Sequence, residues 1–380
     1  MQIYLNNAAT GFPKPDRVLR AVEKSLKRPP FHHARAGFAQ EIDIVLECRK
    51  QLATLFNALT PKTIAFSSGA TESLNLALRG LCLNGAHVVT TATEHNSVLR
   101  PLKTMERDGL ITLSIAPCDN FGAVSVENIC AVLKPETAVL VINHCSNVTG
   151  TVNDLKSIGE IARQNNTLFV VDAAQSAGVY PIDVQKMNID ILAFTGHKSL
   201  HGLQGIGGIY VREGVALTPL KVGGTGVRSD YLFQPESVPM RYEAGTLNLP
   251  GIISLYEGVN FIISVGLGNI RKSKEKKVRL LRQYLMENKK AVLYPNKQCM
   301  DNTSVFSFTI EGMDPEDIGY ILENNFGIIT RHGLHCAPLI HKYIGTFPQG
   351  TVRVSPSYFT TDKEIEGFGH AIEQILKTVN

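Results

Sequence analysis

Five apolar runs of strand length in this chain each end on polar side chains, and those side chains suit different parts of one chemistry. After "TIAFSS" come Gly69, Ala70 and Thr71, which open a helical stretch. Free N–H groups at a helix start, with the Thr71 hydroxyl, would hold a phosphate; plain capping by Ser68 or Thr71 accounts for the same residues. After "HVVTTA" the segment "TEHNS" sets His95 just past the strand, where a lone histidine is more often a surface or capping residue than a functional one. After "TAVLVINH", Asn147 in "CSNVTG" offers a polar contact. "TLFVVD" closes on Asp172, a carboxylate that is costly to bury without a cation, and Gln175 stands three residues on. "IDILAF" is followed by Thr195, His197 and Lys198.

Ligands of open α/β sheets bind outside the carboxyl ends of the strands. At that edge these residues amount to a phosphate cradle, a carboxylate in need of a cation, a flat ring that can stack, and a lysine. Pyridoxal 5'-phosphate uses all four, through its phosphate, its pyridinium nitrogen, its ring face and an aldehyde that forms a Schiff base with lysine. A dinucleotide or a nucleoside triphosphate fits worse, because no GxGxxG stands between a strand and a helix and no GxxxxGK[ST] occurs.

The elements that must position these residues follow from the pattern of the chain. From about residue 60 to 212, short apolar runs alternate with amphipathic helices near 70–82, 97–107, 125–133 and 154–165. Continuous apolar strands separated by helices predict a mainly parallel sheet covered on both faces. The Gly- and Pro-rich stretch 214–250 reads as loops, and two long helices, then short strands and helices, follow it. The expected fold is α/β: a three-layer sandwich with a mainly parallel sheet in a large cofactor domain (15–252), plus a smaller α+β domain (1–14 and 253–380). Around the basic stretch "RKSKEKKVRLLRQ" (271–283), Leu267, Ile270, Val278, Leu281 and Leu285 share one helical face, so the basic residues are read as its solvated side and not as a nucleic-acid patch.

Composition sets the bounds. The 380 residues are 44% hydrophobic and 19% charged with a net charge of +4, which suits a soluble globular protein and gives no reason to expect nucleic acid. No apolar run nears the roughly 18 residues of a membrane helix, and "MQIYLNNAATG" has neither a basic segment nor an apolar signal core; a cytoplasmic location is expected. Seven cysteines (Cys48, Cys82, Cys118, Cys130, Cys145, Cys299, Cys336) contain no CxxC, so neither a disulfide framework nor a metal site is expected, and most are read as small buried apolar residues.

Taken in order, "IYLNNAATGFPKP", "SSGATESLNLAL", "TEHNSVLRP", "HCSNVTGT", "VVDAAQSAG", "FTGHKSLHGLQGIGGIYV", "RYEAGTLNLPGIISL" and "RHGLHCAPL" span nearly the whole chain. Together they resemble the cysteine desulfurases of the class V aminotransferase group, in the fold type I pyridoxal-phosphate superfamily. The resemblance implies that Lys198 carries the cofactor and shuttles protons, that Asp172 and Gln175 bind the pyridine nitrogen and ring hydroxyl, and that His95 stacks on the ring and exchanges protons with the substrate. It gives Ala70, Thr71, Thr195 and His197 to the phosphate, joined by Thr246 from a second subunit of a homodimer. Asn147 and Arg353 would bind the substrate carboxylate, and Arg331, in the same motif as the cysteine, is a further candidate for substrate binding. Arg331, Gly333, His335, Cys336 and Ala337 match the Arg-x-Gly-x-His-Cys-Ala motif of the short-loop branch, which makes Cys336 the sulfur-accepting residue; otherwise it is one more buried thiol. The flanking arginine and histidines, His332 among them, would favour its thiolate. Asn6, where the family usually has Asp, and Leu203, where Pro is common, depart from the pattern, as does a cysteine loop two residues longer before Arg353.

The activity so implied is removal of sulfur from L-cysteine, leaving L-alanine, with a persulfide on Cys336 and a sulfur-acceptor protein or a reductant downstream. Selenocysteine lyase shares the cofactor and pocket and stands as an alternative substrate reading. A transaminase or β-lyase lacks a use for Cys336, and a non-catalytic scaffold lacks one for Lys198, Asp172 and His95.

Overall fold

The computed structural model describes residues 2–29, 42–294 and 303–378. Cys299 lies outside the described residues. The chain begins with β1 (Ile3–Tyr4) and then supplies β2 (Ile64–Ser67), β3 (Ala86–Thr91), β4 (Ile111–Ala116), β5 (Thr137–Asn143), β6 (Leu168–Asp172), β7 (Ile191–Thr195) and β8 (Gly207–Val211). Strands β2 to β8 form one sheet in the order β2-β8-β7-β6-β5-β3-β4. Pairing is parallel throughout from β4 to β7, and β8 runs antiparallel to both β7 and β2.

The apolar runs are continuous because both faces of this sheet are covered. Val89, Leu140, Val171 and Leu192 pack under the helices Ile44–Phe56, Leu155–Gln164 and Leu249–Val265. Their neighbours Val88, Val141, Val170 and Ala193 point the other way, onto the helices Ala70–Gly80 and Asn96–Arg107. This is the three-layer arrangement that the sequence predicts.

A second, antiparallel sheet follows from β9 (Ala291–Tyr294), β10 (Phe306–Ile310), β12 (Arg331–Gly333) and β13 (Thr351–Val354), ordered β12-β13-β10-β9. Its core joins Phe306, Phe308 and Val354 to Val278 and Leu281, Ile318 and Leu322, and Phe368 and Ile372 from three helices. The two-residue strands β1 and β11 (Ile328–Ile329) pair in parallel, with Ile3 opposite Ile328, and so tie the N-terminal segment to this C-terminal unit. The boundary expected at 252/253 falls inside the helix Leu249–Val265, whose Ile252, Leu255, Val259 and Ile262 belong to the large-sheet core.

The basic helix Leu267–Met286 departs from expectation. Ile270, Val278, Leu281 and Leu285 are buried as the periodicity requires, but Lys274 and Arg282 are buried as well. Among the described residues Lys274 Nζ hydrogen-bonds only to the Ser199 hydroxyl, at 3.4 Å, and the Arg282 guanidinium lies 5.8 Å from the centre of the Phe306 ring. Both sit four residues from Ile270 or Val278 on the buried face, while Lys272, Lys276 and Arg279 are exposed on the opposite face. No single described helix is long and apolar enough to cross a membrane, and among the described residues no three His, Cys, Asp or Glu side chains form a metal-binding group.

Candidate active site

Because β2, β3, β5, β6 and β7 all point the same way, their carboxyl ends open on one cavity of about 230 Å³. It is lined by Gly69, Ala70, Thr71, His95, Asn147, Asp172, Gln175, Thr195, His197 and Lys198, all singled out from the sequence, and also by Ser97, Asn143, Cys145, Gln204 and Gly205. The antiparallel β8 enters the sheet at the same edge, with Gly207 opposite both Thr195 and Ser67. A Cβ at Gly207 would lie 2.6 Å from Gly69 Cα and 2.6 Å from the Phe194 carbonyl oxygen, so only glycine lets this turn close against the helix start.

The helix Ala70–Gly80 has no side-chain cap at its start. Instead the Ser68 N–H donates to the Glu72 carboxylate at 2.7 Å, and the Thr71 hydroxyl meets Ser97 Oγ at 2.8 Å. Neither Ser68 nor Thr71 therefore performs the capping role that their types allow, and the first amides of the helix remain on the cavity with their partial positive charge. His95 is both a cap and a wall residue. Its Nδ1 accepts the Ser97 N–H at 3.0 Å at the start of the helix Asn96–Arg107, and Ser97 Oγ lies 2.8 Å from the same nitrogen. Burial, with Lys198 and three arginines adding, brings the His95 pKa down to about 4. A neutral ring whose Nδ1 accepts carries its proton on Nε2.

Behind His95, Glu94 is fully buried. One of its oxygens accepts from the Thr91 hydroxyl and from the Asn143 N–H, while the other has no partner among the described residues. Burial raises its pKa to about 8, which favours the neutral acid. Asp172 is the second buried carboxyl group at this end of the cavity. Asp172 Oδ1 accepts the Ala174 N–H at 2.8 Å, and no cationic side chain pairs with it among the described residues; burial pushes its pKa up against the pull of that hydrogen bond and of Lys198. Gln175 is anchored through Nε2 to the Ala8 carbonyl at 2.9 Å.

Lys198 follows β7 in a turn held from outside. The His197 carbonyl accepts the Gly11 N–H at 2.9 Å and Lys14 Nζ at 2.7 Å, and the His197 ring meets the Thr10 hydroxyl at 3.0 Å. The Lys198 pKa falls to about 8, first through burial, with Arg353 and Arg331 opposing Asp172. An uncapped helix start and an unpaired buried carboxylate fit the two ends of pyridoxal phosphate, an anionic phosphate and a pyridinium, with a lysine of lowered pKa between them.

Cys336 comes to this edge from the second sheet. His335 and Cys336 both have positive φ, 51° and 59°, in a turn whose Cys336 carbonyl accepts the Asn96 N–H at 2.7 Å, one residue from His95. Arg331 Nη2 donates to Cys336 Sγ at 3.2 Å. The histidines expected to assist lie elsewhere: His335 Nε2 meets the Thr351 hydroxyl at 3.0 Å, and the exposed His332 packs its ring against Gly319. Arg353, on β13, is buried. It donates to the Asn147 carbonyl at 3.0 Å and to Asn6 Oδ1 at 3.1 Å, while Asn147 Nδ2 donates to the His335 carbonyl at 2.7 Å. Thr246 is exposed and does not line the cavity. Of the other described cysteines, Cys48, Cys118 and Cys145 are buried as expected, but Cys82 and Cys130 are exposed.

A family model described as Aminotransferase class-V matches residues 3–368. A protein of Methanothermobacter thermautotrophicus named "Probable cysteine desulfurase" is 32% identical over 382 residues, which cover 98% of this chain and 94% of that protein. A "Cysteine desulfurase" of Salmonella agona is 30% identical over 377 residues, 96% of this chain and 90% of the relative. The apo structure of the cysteine desulfurase from Thermococcus onnurineus matches with a TM-score of 0.89 and 31% identity, covering 99% of this chain and 95% of that one.

Proposed function

The chain belongs to the cysteine desulfurases of the class V aminotransferase family, and from that premise we propose that it binds pyridoxal phosphate and transfers the sulfur of L-cysteine to Cys336, leaving L-alanine. The observation that carries the reading is the juxtaposition of Cys336, with Arg331 on its sulfur and its carbonyl tied to Asn96, with the cavity that holds Lys198, Asp172 and His95.

Bound here, the cofactor supplies an aldehyde that takes up the substrate amine and a ring that withdraws electrons from the substrate Cα. The helix start at Ala70 and Thr71, with Thr195 and His197, would hold its phosphate; Asp172 would keep a proton on its ring nitrogen, Gln175 would bind its ring hydroxyl and His95 would stack on the ring. Lys198 Nζ, once free, takes the Cα proton, a task that needs a neutral amine near operating pH and is served by its lowered pKa. Asn147 and Arg353 hold the substrate carboxylate, next to Arg331. The Cys336 sulfur attacks the substrate sulfur, the Cβ–S bond breaks, and Cβ receives a proton, so one thiol and one cysteine become a persulfide and an alanine with no outside oxidant. An acceptor protein or a thiol reductant then removes the persulfide sulfur, in a cytoplasm that keeps thiols reduced.

The test is Cys336→Ala. Sulfide release from cysteine should fall by orders of magnitude while cofactor binding and the visible spectrum stay unchanged, and alanine substitution of the other cysteines should alter only packing. Selenocysteine, whose selenium leaves more readily, is run in parallel and should depend less on Cys336. Wild-type turnover of cysteine by Cys336→Ala would make the protein a lyase without covalent capture.

A homodimer completes the reading. The buried pair Arg49–Glu243, at 2.6 Å, fixes the segment "RYEAGT" against edge strand β2, where Glu243 also accepts the Phe66 N–H, and so supports an exposed Thr246 offered to a neighbouring subunit's phosphate site. Activity should follow the dimer on dilution; a sedimenting monomer with full activity would rule this out.

A further inference from the structure

Lys198 lines two cavities. One it shares with Asp172; the other, of about 10 Å³, has room for a single particle of water or halide size and is lined also by Ser199, His201, Lys274 and Tyr358. Lys274 and His201 are 6% and 5% exposed. Lys274 Nζ meets the Ser199 hydroxyl at 3.4 Å, a long contact for an ammonium, and His201 Nδ1 has no hydrogen-bond partner among the described residues. Burial, then Lys14 and Lys274, bring the His201 pKa down to about 3, and burial, with Lys277 adding, brings that of Lys274 to about 8. At neutral pH the histidine is therefore neutral and Lys274 charged. No carboxylate opposes these lysines at either side chain among the described residues. The acidic group that acts on Lys274 is the Cys145 thiol, which burial keeps protonated with a pKa of about 12, and Glu275, next in the chain, pairs with Arg271 at 2.7 Å. A cation buried in this way is costly without a counter-charge.

We propose that this second cavity binds one small monovalent anion of the halide class, held by Lys274 Nζ, the Ser199 hydroxyl and His201 Nδ1. All three can donate: Lys274 has three N–H bonds, the Ser199 oxygen accepts from Lys274 and keeps its own proton, and a neutral imidazole can carry its proton on Nδ1. A water would satisfy these donors but leave the charge, and a carboxylate or phosphate group exceeds the space. A halide supplies the missing charge and ties the helix Leu267–Met286 to the turn that carries Lys198. The site stands whether or not the protein removes sulfur from cysteine.

Bromide and chloride are the probes. Crystals of the cofactor-loaded protein grown in sodium bromide should show an anomalous bromine peak in the cavity, within hydrogen-bond reach of Lys274 Nζ and Ser199 Oγ. At constant ionic strength, replacing gluconate, which is too large to enter, by chloride should raise the melting temperature of the cofactor-loaded protein by about 2 °C. Lys274→Met keeps most of the side-chain bulk and removes the charge, so it should lose both the bromine peak and the chloride response, whereas a general salt effect would move both proteins alike. Should that variant fail to fold, Ser199→Ala takes its place and should cut the chloride response by about half or more. A water alone where the bromine peak is expected, or an equal chloride response in the wild-type protein and the variant, would overturn the proposal.

Discussion

Burial raises the Asp172 carboxyl, and the Ala174 N–H and the Lys198 charge only partly offset it. A carboxylate whose folded pKa lies above its unfolded value favours the fold when protonated, at pH below the unfolded value, and that advantage is lost as pH rises through the folded pKa. At neutral pH the cofactor-free protein therefore carries Asp172 at a cost that a pyridinium would relieve. Asp172→Asn should stabilise the cofactor-free protein by about 1 kcal/mol, seen as a higher melting temperature, and should lower turnover by orders of magnitude because the ring nitrogen loses its charged partner. Destabilisation of the cofactor-free protein would show that Asp172 serves the fold and not a cation. At this scale the sequence was informative wherever a polar residue ended an apolar strand, as Asp172 and Thr195 do. It was silent on Ser97, which joins Thr71 to His95 through its hydroxyl, and on Glu94, because nothing local says that a glutamate beside a histidine points into the core. It also assigned helper roles to His332 and His335, whose rings are held by Gly319 and Thr351 instead.

The elements carry these side chains to one edge because six strands share a direction and a seventh, β8, returns between β7 and β2. Continuous apolar runs made that sheet readable in advance, and so did the helices Ala70–Gly80 and Asn96–Arg107. The burial of Lys274 and Arg282 was not read, because residue type argued for solvent although their four-residue spacing from Ile270 and Val278 sets them on the buried face. A tight constraint at the edge of the cavity is Gly207 against Gly69. Gly207→Ala must push β8 from the start of the helix Ala70–Gly80, and is expected to lower stability by about 1–3 kcal/mol and to weaken cofactor binding, read by denaturant titration and by cofactor titration. Unchanged cofactor affinity would show that this helix start does not hold the phosphate.

The molecule as a whole joins two chemistries that neither sheet holds alone. The large sheet presents Lys198, Asp172 and His95, and the small one presents Arg331 and Arg353, with Cys336 on the loop between their strands, while β1 and Asn6 tie the chain's first residues to the same place. Sulfur transfer to Cys336 is the claim that depends on all of them. It is tested most directly by adding one equivalent of L-cysteine to the cofactor-loaded protein without reductant and measuring the mass of its peptides. The account predicts a gain of one sulfur atom on the Cys336 peptide, matched by one alanine, and no gain in Cys336→Ala; alanine formed with no sulfur on Cys336, or with the sulfur on another cysteine, would contradict it.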